Sequence, residues 1–357
     1  MRVIHSLYSG VGGVYSVVDS LIKDKEKKII NGTLYFGPNI SKDCLKHKSI
    51  LKNNFFYTRT IKYLSLLLTF NVAYKLIKFK PDIIVLHNYQ IFPVLILKLF
   101  YKSKVIYVDH TGIKFKDFRD NFILKFFNNF INKFIVLNNK NFDYLNNICL
   151  IPRSKITKIE NGINLKFFKK KNHLKKKELI IGMASRIANT KHHSLLIDTV
   201  QSLIEKKINL KCLMAGDGEL TSFLKKKVLK KNKKKIVFNG ELDQKRLKKW
   251  FHKINLYVQA TKTEAMSISI FNAMAMDIPV MGSNVNGINN LEYPNKKDKM
   301  LFENNSKDLE KKIINFMKMK KKNLDKLINN QKKYVLKNFS DESMIIKYKK
   351  IYNSLDK

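Results

Sequence analysis

Cysteine is scarce in this 357-residue chain: Cys44, Cys149 and Cys212 are three in number and far apart. They form neither a disulfide framework nor a zinc spacing, which is the usage of a reducing compartment. Acid is scarce too. Asp and Glu total 28 against 70 Lys and Arg, a formal net charge of +42. Such a field draws a protein to acidic surfaces and phosphorylated ligands. Lys is spread along the whole chain, and Asn and Ile are also abundant, so compositional bias is the simpler origin of the excess. Long apolar runs are missing. The longest apolar region, "YLSLLLTFNVAYKLI" (Tyr63 to Ile77), contains Ser, Thr, Asn and Lys. It falls short of the roughly 20 apolar residues of a membrane-spanning helix, and reads as a buried or interfacial helix. The opening "MRVIHSLYSG" is too short for a secretory signal and runs into a Gly-rich turn. The expected location is the cytoplasm. Neither a repeat of solenoid length nor a D-x-D carboxylate pair is present.

What is there is an alternation of short β-branched runs with longer helical patterns. "MRVIHSL", "PDIIVLHN", "KVIYVDH" and "KFIVLN" read as strands, and "VYSVVDSLIK" as a helix. The composition then shifts to the Lys-rich "NLKFFKKKNHLKKKE", a solvated linker. After it the alternation restarts with strands "ELIIGMAS", "LKCLMAG", "KIVFNG", "INLYVQA" and "IPVMGS" and the helix "HSLLIDTVQSLIEKK". This order predicts two α/β halves, each a parallel sheet covered on both faces.

Several loops carry residues suited to chemistry. In "SLYSGVGGVYSVV", Gly10, Gly12 and Gly13 would let a backbone approach a ligand at a helix start. The dinucleotide fingerprint fails, because Tyr15 takes its third Gly position. In "GMASRIANTKHHSLL", Arg186 and Lys191 place a fork donor and a point cation on one loop, a pairing that suits a diphosphate. "LMAGDGEL" ends a strand with Gly216, Asp217 and Gly218, and a turn starting a helix suffices to explain it. In "ATKTEAMSISIFNAMAMDIPV", Glu264 is a lone acid ahead of an apolar helix. It reads either as a cap or as an acceptor for sugar hydroxyls.

In series, these blocks resemble the glycosyltransferases of group 1, family 4, whose fold is GT-B: two Rossmann-like domains with parallel sheets facing an interdomain cleft. "KITKIENGINLKFF" is similar to the family's K-I-x-V-I-x-N-G-V-D-x-x-x-F, and Arg186 and Lys191 match its R-x-x-x-x-K diphosphate clamp. "AGDGEL", "VFNGEL" and "TEAMSISIFNAMAMDIPV" match further blocks. "FSDESMIIKYKKIYNSL" resembles a terminal helix that crosses back to the first domain. The resemblance implies an acceptor-side domain over 1–168, a nucleotide-sugar domain over 169–339, and a helix at about 340–357 packing on the first.

The same resemblance implies roles. Glu264 would contact the donor sugar, with backbone N–H groups at Ala265, Met266 and Ser267 holding phosphates alongside Gly216. Gly12 and Gly13 match a loop near the phosphates and acceptor. His110, in "YVDHTG", matches a His beside the transferred sugar; His87 is a weaker match. Asn272 stands where the family has a second Glu that accepts from both ribose hydroxyls. An amide has one oxygen and no charge, so a weaker or altered nucleotide grip is expected. Ala265, Ser267 and Asp277 replace family glycines.

The expected activity is therefore sugar transfer, with retention, from a nucleotide-sugar donor to a hydroxyl acceptor on a lipid-linked or cell-surface glycan such as lipopolysaccharide or capsule. No metal or cofactor is expected, because the two cations can neutralise the departing diphosphate. "DFRDNFILKFFNNFINKF" (Asp117 to Phe134) interleaves aromatics with basic residues, which suits either core packing or peripheral contact with an anionic membrane. Two other readings stay open: a degenerate partner subunit without turnover, and a polyanion-binding protein marked by salt-dependent nucleic-acid binding. No specific nucleic-acid partner is expected.

Overall fold

A computed structural model describes residues 1–8, 12–23, 29–36, 54–57, 66–87, 94, 98, 101–111, 116, 118–169, 178–291 and 300–356. They divide into two compact units, Met1–Gly162 with Asp341–Lys357, and Ile163–Ser340.

The first unit is built on β1 (Arg2–Tyr8), α1 (Gly13–Lys23), β2 (Ile30–Phe36), β3 (Asn54–Tyr57), α2 (Leu66–Phe79), β4 (Ile83–Leu86), β5 (Lys104–Asp109), α3 (Phe118–Phe127), β6 (Lys133–Val136), α4 (Asn139–Asn147) and β7 (Ile156–Lys158). The seven strands pair in parallel in the order β3-β2-β1-β4-β5-β6-β7. Strands β4 and β5 are buried almost throughout, which is why they read as continuous β-branched runs instead of alternating ones. Ile4, Ile84, Val105, Tyr107 and Phe134 pack on one face. On the other face, Leu7 and Tyr35 pack against Tyr15, Val18 and Ile22 of α1. Helix α2 ends where Lys80 takes φ +53 ahead of Pro81, a left-handed stop followed by a residue that cannot continue a helix.

The second unit contains β8 (Leu179–Ala184), α5 (His193–Glu205), β9 (Leu210–Ala215), α6 (Thr221–Lys227), β10 (Ile236–Phe238), α7 (Gln244–Phe251), β11 (Leu256–Gln259), α8 (Ile268–Ala275), β12 (Val280–Ser283), β13 (Met300–Phe302), α9 (Ser306–Met317) and α10 (Lys321–Asn338). Its six parallel strands run in the order β10-β9-β8-β11-β12-β13. The chain then returns to the first unit as α11 (Asp341–Leu355), which packs on α1 and receives a 3.3 Å hydrogen bond from Ser20 at Asp341.

Both sheets are laid down outward in one direction and then outward in the other. The order reverses between β1 and β4 and between β8 and β11. In doubly wound sheets, ligands bind beyond the carboxyl ends of the strands at that reversal. Among the described residues, no helix is long and apolar enough to cross a membrane. The start of "YLSLLLTFNVAYKLI" and residue Asp117 lie outside the described residues.

Candidate active site

In the second unit the reversal point lies between β8 and β11, and the loops leaving those two strands are stitched together. Lys191 and Thr261 form an antiparallel bridge. His192 N donates to Ala260 O at 3.0 Å, Lys262 N to Thr190 O at 3.0 Å, and the Thr261 hydroxyl to Thr190 O at 3.1 Å. This stitching brings together two residues 73 positions apart. The Lys191 ammonium donates to the Glu264 carboxylate at 2.5 Å, with both side chains largely buried. Arg186, on the same loop as Lys191, is instead exposed and pairs with Glu219 at 3.3 Å. An exposed pair of that kind contributes about 0–1 kcal/mol, so the guanidinium is readily available to a stronger anion.

Two glycines allow backbones to approach closely here. Gly216 has φ +131, and a Cβ on it would come within 2.0 Å of the Ser185 carbonyl oxygen at the root of the Arg186 loop. Gly287 has φ +85, and a Cβ there would lie 2.3 Å from the Glu264 carbonyl oxygen. The first shapes the loop carrying Arg186, and the second backs the loop carrying Glu264.

His193 locks the cationic loop, and sequence reasoning gave it no role. Its Nδ1 lies 3.3 Å from the Lys191 carbonyl and its Nε2 3.2 Å from the Ser185 hydroxyl. A carbonyl only accepts, so Nδ1 carries the proton and Nε2 accepts from Ser185. Burial lowers its pKa to about 4, with the backbone bond to Lys191 opposing. The signal available in the sequence was the "KHHS" run at the helix start, which says nothing of a ring wedged between two turns of one loop.

After Glu264 the chain runs through Ala265, Met266 and Ser267 into α8. Ala265, Met266 and Ser267 are buried. Neither Ala265 nor Ser267, which replace family glycines, takes a positive φ. Ser267 sits at the N-cap position, but its hydroxyl donates to Gln259 at 3.3 Å instead of capping α8. Asn272 is on α8 and almost fully buried. Among the described residues its Oδ1 has no hydrogen-bond partner, and neither has Gln259 Nε2 at the end of β11.

In the first unit, Gly12 and Gly13 are exposed at the start of α1, beyond the carboxyl end of β1. Gly10 lies outside the described residues. His110 follows β5, and its Nε2 is 2.9 Å from His87 Nδ1. The residue before it, Asp109, faces the opposite side of the sheet. There it is buried in an ion pair with Lys116 and accepts from Asn141 Nδ2 at 2.8 Å and Thr111 N at 3.2 Å. The end of β5 is thus held from both faces, by an ion pair on one and by histidines on the other. Sequence reasoning gave Asp109, Lys116 and Asn141 no role either; Asn141 reaches Asp109 only because β6, which leads into α4, pairs with β5. No cluster of three or more metal-ligating side chains suited to a metal ion occurs among the described residues.

The profile described as "Glycosyl transferases group 1" matches residues 165–334, and that described as "Glycosyltransferase Family 4" matches residues 38–167. Protein CapJ of Staphylococcus aureus is 28% identical over 204 residues, covering 55% of this chain and 51% of that protein. The chain spans about half the length of the curated relatives it matches. Among solved structures, a glycosyltransferase from Rickettsia africae ESF-5 superposes with a TM-score of 0.79 at 19% identity, covering 99% of this chain and 98% of that one. Anabaena Alr3699/HepE, in complex with UDP-glucose, superposes with a TM-score of 0.82 at 14% identity over 99% and 100%. Two Rossmann-type sheets in succession, with the two profiles falling on them in chain order, place the chain in the group 1, family 4 glycosyltransferases, with their GT-B fold.

Proposed function

We propose that this protein transfers a sugar from a nucleotide-sugar to a hydroxyl of a lipid-linked or cell-surface glycan, with retention of configuration and without a metal. The observation that carries the reading is the Lys191–Glu264 contact at the reversal point of the second sheet, on a loop that also bears Arg186. A cation and an acid held 2.5 Å apart can serve adjacent parts of one donor. The ammonium addresses the diphosphate and the carboxylate accepts from sugar hydroxyls. Arg186, released from Glu219, supplies the second positive charge as the diphosphate departs. Asn272 meets the ribose and His110 the transferred sugar, as in the family pattern. The UDP-glucose bound by HepE supports a nucleotide-sugar donor of that chemistry.

A peripheral position on an anionic membrane fits the outer face of α3. Phe122 and Phe126 are exposed and stacked at 5.6 Å, Phe130 follows, and Lys125 lies between them in sequence. Sedimentation with anionic but not zwitterionic vesicles, lost in a Phe122→Ser, Phe126→Ser variant, tests that placement.

A second reading, a non-catalytic partner subunit, draws on Asn272. Its amide stands buried in place of the family's second acid. Screening nucleotide-sugars for thermal stabilisation and hydrolysis, with Arg186→Ala as control, separates the two. Stabilisation with turnover, lost in the control, supports transfer. Folded protein that no donor stabilises sinks it.

A further inference from the structure

Three imidazoles lie in series in the first unit. His5 Nδ1 is 3.2 Å from His87 Nε2, and His87 Nδ1 is 2.9 Å from His110 Nε2. The rings meet edge to edge and are tilted by only 25° and 26° from one another, with centroids 5.5 and 5.2 Å apart. Strand register explains the line. His5 in β1 lies beside Val85 in β4, and Leu86 lies beside Tyr107 in β5. His87 is therefore two residues further along its strand than His5's neighbour, and His110 two further again. Side chains on a strand alternate faces, so steps of two keep all three on one face. The line climbs diagonally from the middle of β1, where His5 is fully buried, to the carboxyl edge, where His110 is partly exposed.

Burial, with the neighbouring His110 and His5, holds His87 well below its ordinary pKa, and burial lowers His110 to about 4. Both are neutral at pH 7. A neutral imidazole has one N–H and one lone pair. With one proton on each ring, each bridge in the series needs one of each, so the three protons cannot be placed independently. Either all three rings carry the proton on Nδ1, with each donating toward His110, or all three carry it on Nε2, with each donating toward His5. In the first state the other nitrogen of His110, Nδ1, is a donor. In the second it is an acceptor.

We propose that His5 and His87 are positioning residues that set the tautomer of His110, so that a residue in mid-strand decides whether His110 offers a substrate a donor or an acceptor. The consequence for turnover rests on the reading of His110 as a sugar contact. The coupling of the tautomers does not.

The test uses the full chain with its eight histidines labelled with 15N, read by long-range 1H–15N correlation at pH 7.5 with single-site substitutions for assignment. The spectra distinguish protonated from bare ring nitrogens. The expected result is that His5, His87 and His110 carry their protons on the same type of nitrogen. A mismatch among them, or an imidazolium at His87, overturns the proposal. In His5→Phe, which keeps a ring but removes both nitrogens, the His110 pattern changes. Turnover falls by roughly 10–100-fold, the scale typical of partners that orient a site imidazole, with the KM for donor within about twofold. An unchanged His110 pattern in that variant overturns the proposal. Should His5→Phe fail to fold, the wild-type spectrum alone still decides. Coupled tautomers with unchanged turnover would overturn the role of His110 in transfer and leave the coupling standing.

Discussion

The Lys191 ammonium and the Glu264 carboxylate meet at 2.5 Å because the loop after β8 is hydrogen-bonded along the loop after β11. Both side chains are mostly buried, so neither charge is well served by water alone. The pair therefore holds the two loops in place before any ligand arrives, and leaves a cation and an acid side by side where the proposed donor would bind.

Removing one partner strands the other. Lys191→Ala and Glu264→Ala should each lower the unfolding free energy of the second unit. The double variant should recover part of the loss, with a coupling of about 0.5–3 kcal/mol. In turnover, Lys191→Ala should cost about 100–1,000-fold, the scale of removing one group that stabilises developing charge. Denaturant titration of the four proteins gives the first quantity and donor hydrolysis the second. Strictly additive stabilities would mean that the contact holds nothing together.

Asn272 places stability and function in opposition. Its buried Oδ1 has no partner among the described residues, and an unmet buried acceptor costs about 1–3 kcal/mol. Asn272→Leu removes the polar group at similar size. It should raise the melting temperature while weakening nucleotide diphosphate binding, since the amide is the proposed partner of the ribose. Calorimetric melting and isothermal titration with a nucleoside diphosphate check the two signs. A lower melting temperature with unchanged affinity would reverse the assignment.

The buried imidazoles make the protein sensitive to acid. His110 and His193 are each lowered to about 4 from an ordinary value of 6.5, and His87 is lowered as well. As pH falls through about 6.5, these groups take up protons in the unfolded chain but not in the folded one. Their contribution is complete above pH 6.5 and drains away down to about pH 4. For His110 alone the loss is on the order of 3 kcal/mol. Urea midpoints measured from pH 7.5 to 4.5 should fall steadily. His193→Asn, which keeps an amide N–H for the Lys191 carbonyl, should flatten the profile of the second unit. A profile unchanged by that substitution would mean that His193 does not titrate as its burial implies.

Much of the fold was legible because the central strands are buried on both faces. Runs such as "IIVL" and "LYVQ" read as strands because they are short and rich in β-branched or aromatic residues, with Pro81 and loop residues setting their limits. β2, β3, β7 and β13 escaped: β2 carries Asn31 and Gly32, residues depleted in strands, and β3, β7 and β13 are short and include Asn54, Lys158 and Met300 rather than unbroken β-branched runs. At the site, Arg186, Lys191 and Glu264 stood out by residue type and spacing. Their local partners did not. The contact of Lys191 with Glu264 depends on β8 lying beside β11, and the line of His5, His87 and His110 depends on strand register. Both are properties of pairing, which no single stretch of chain contains.

Asp277 shows how a departure from the family pattern is accommodated. The family has glycine there, and the backbone keeps the conformation that favours glycine: Asp277 follows α8 at φ +57, in the left-handed region. Aspartate tolerates that conformation better than most side chains, and here its carboxylate pairs with Lys332 of α10 at 2.9 Å. Asp277→Ala keeps the Cβ and loses the carboxylate, and should destabilise the second unit by about 1 kcal/mol. Asp277→Gly loses the same ion pair but removes the strain, so it should match or exceed the parent. The two variants share the lost contact with Lys332, and the gap between their unfolding free energies therefore measures the backbone alone. Equal stabilities would show that the ion pair, not the left-handed turn, fixes what residue 277 must be.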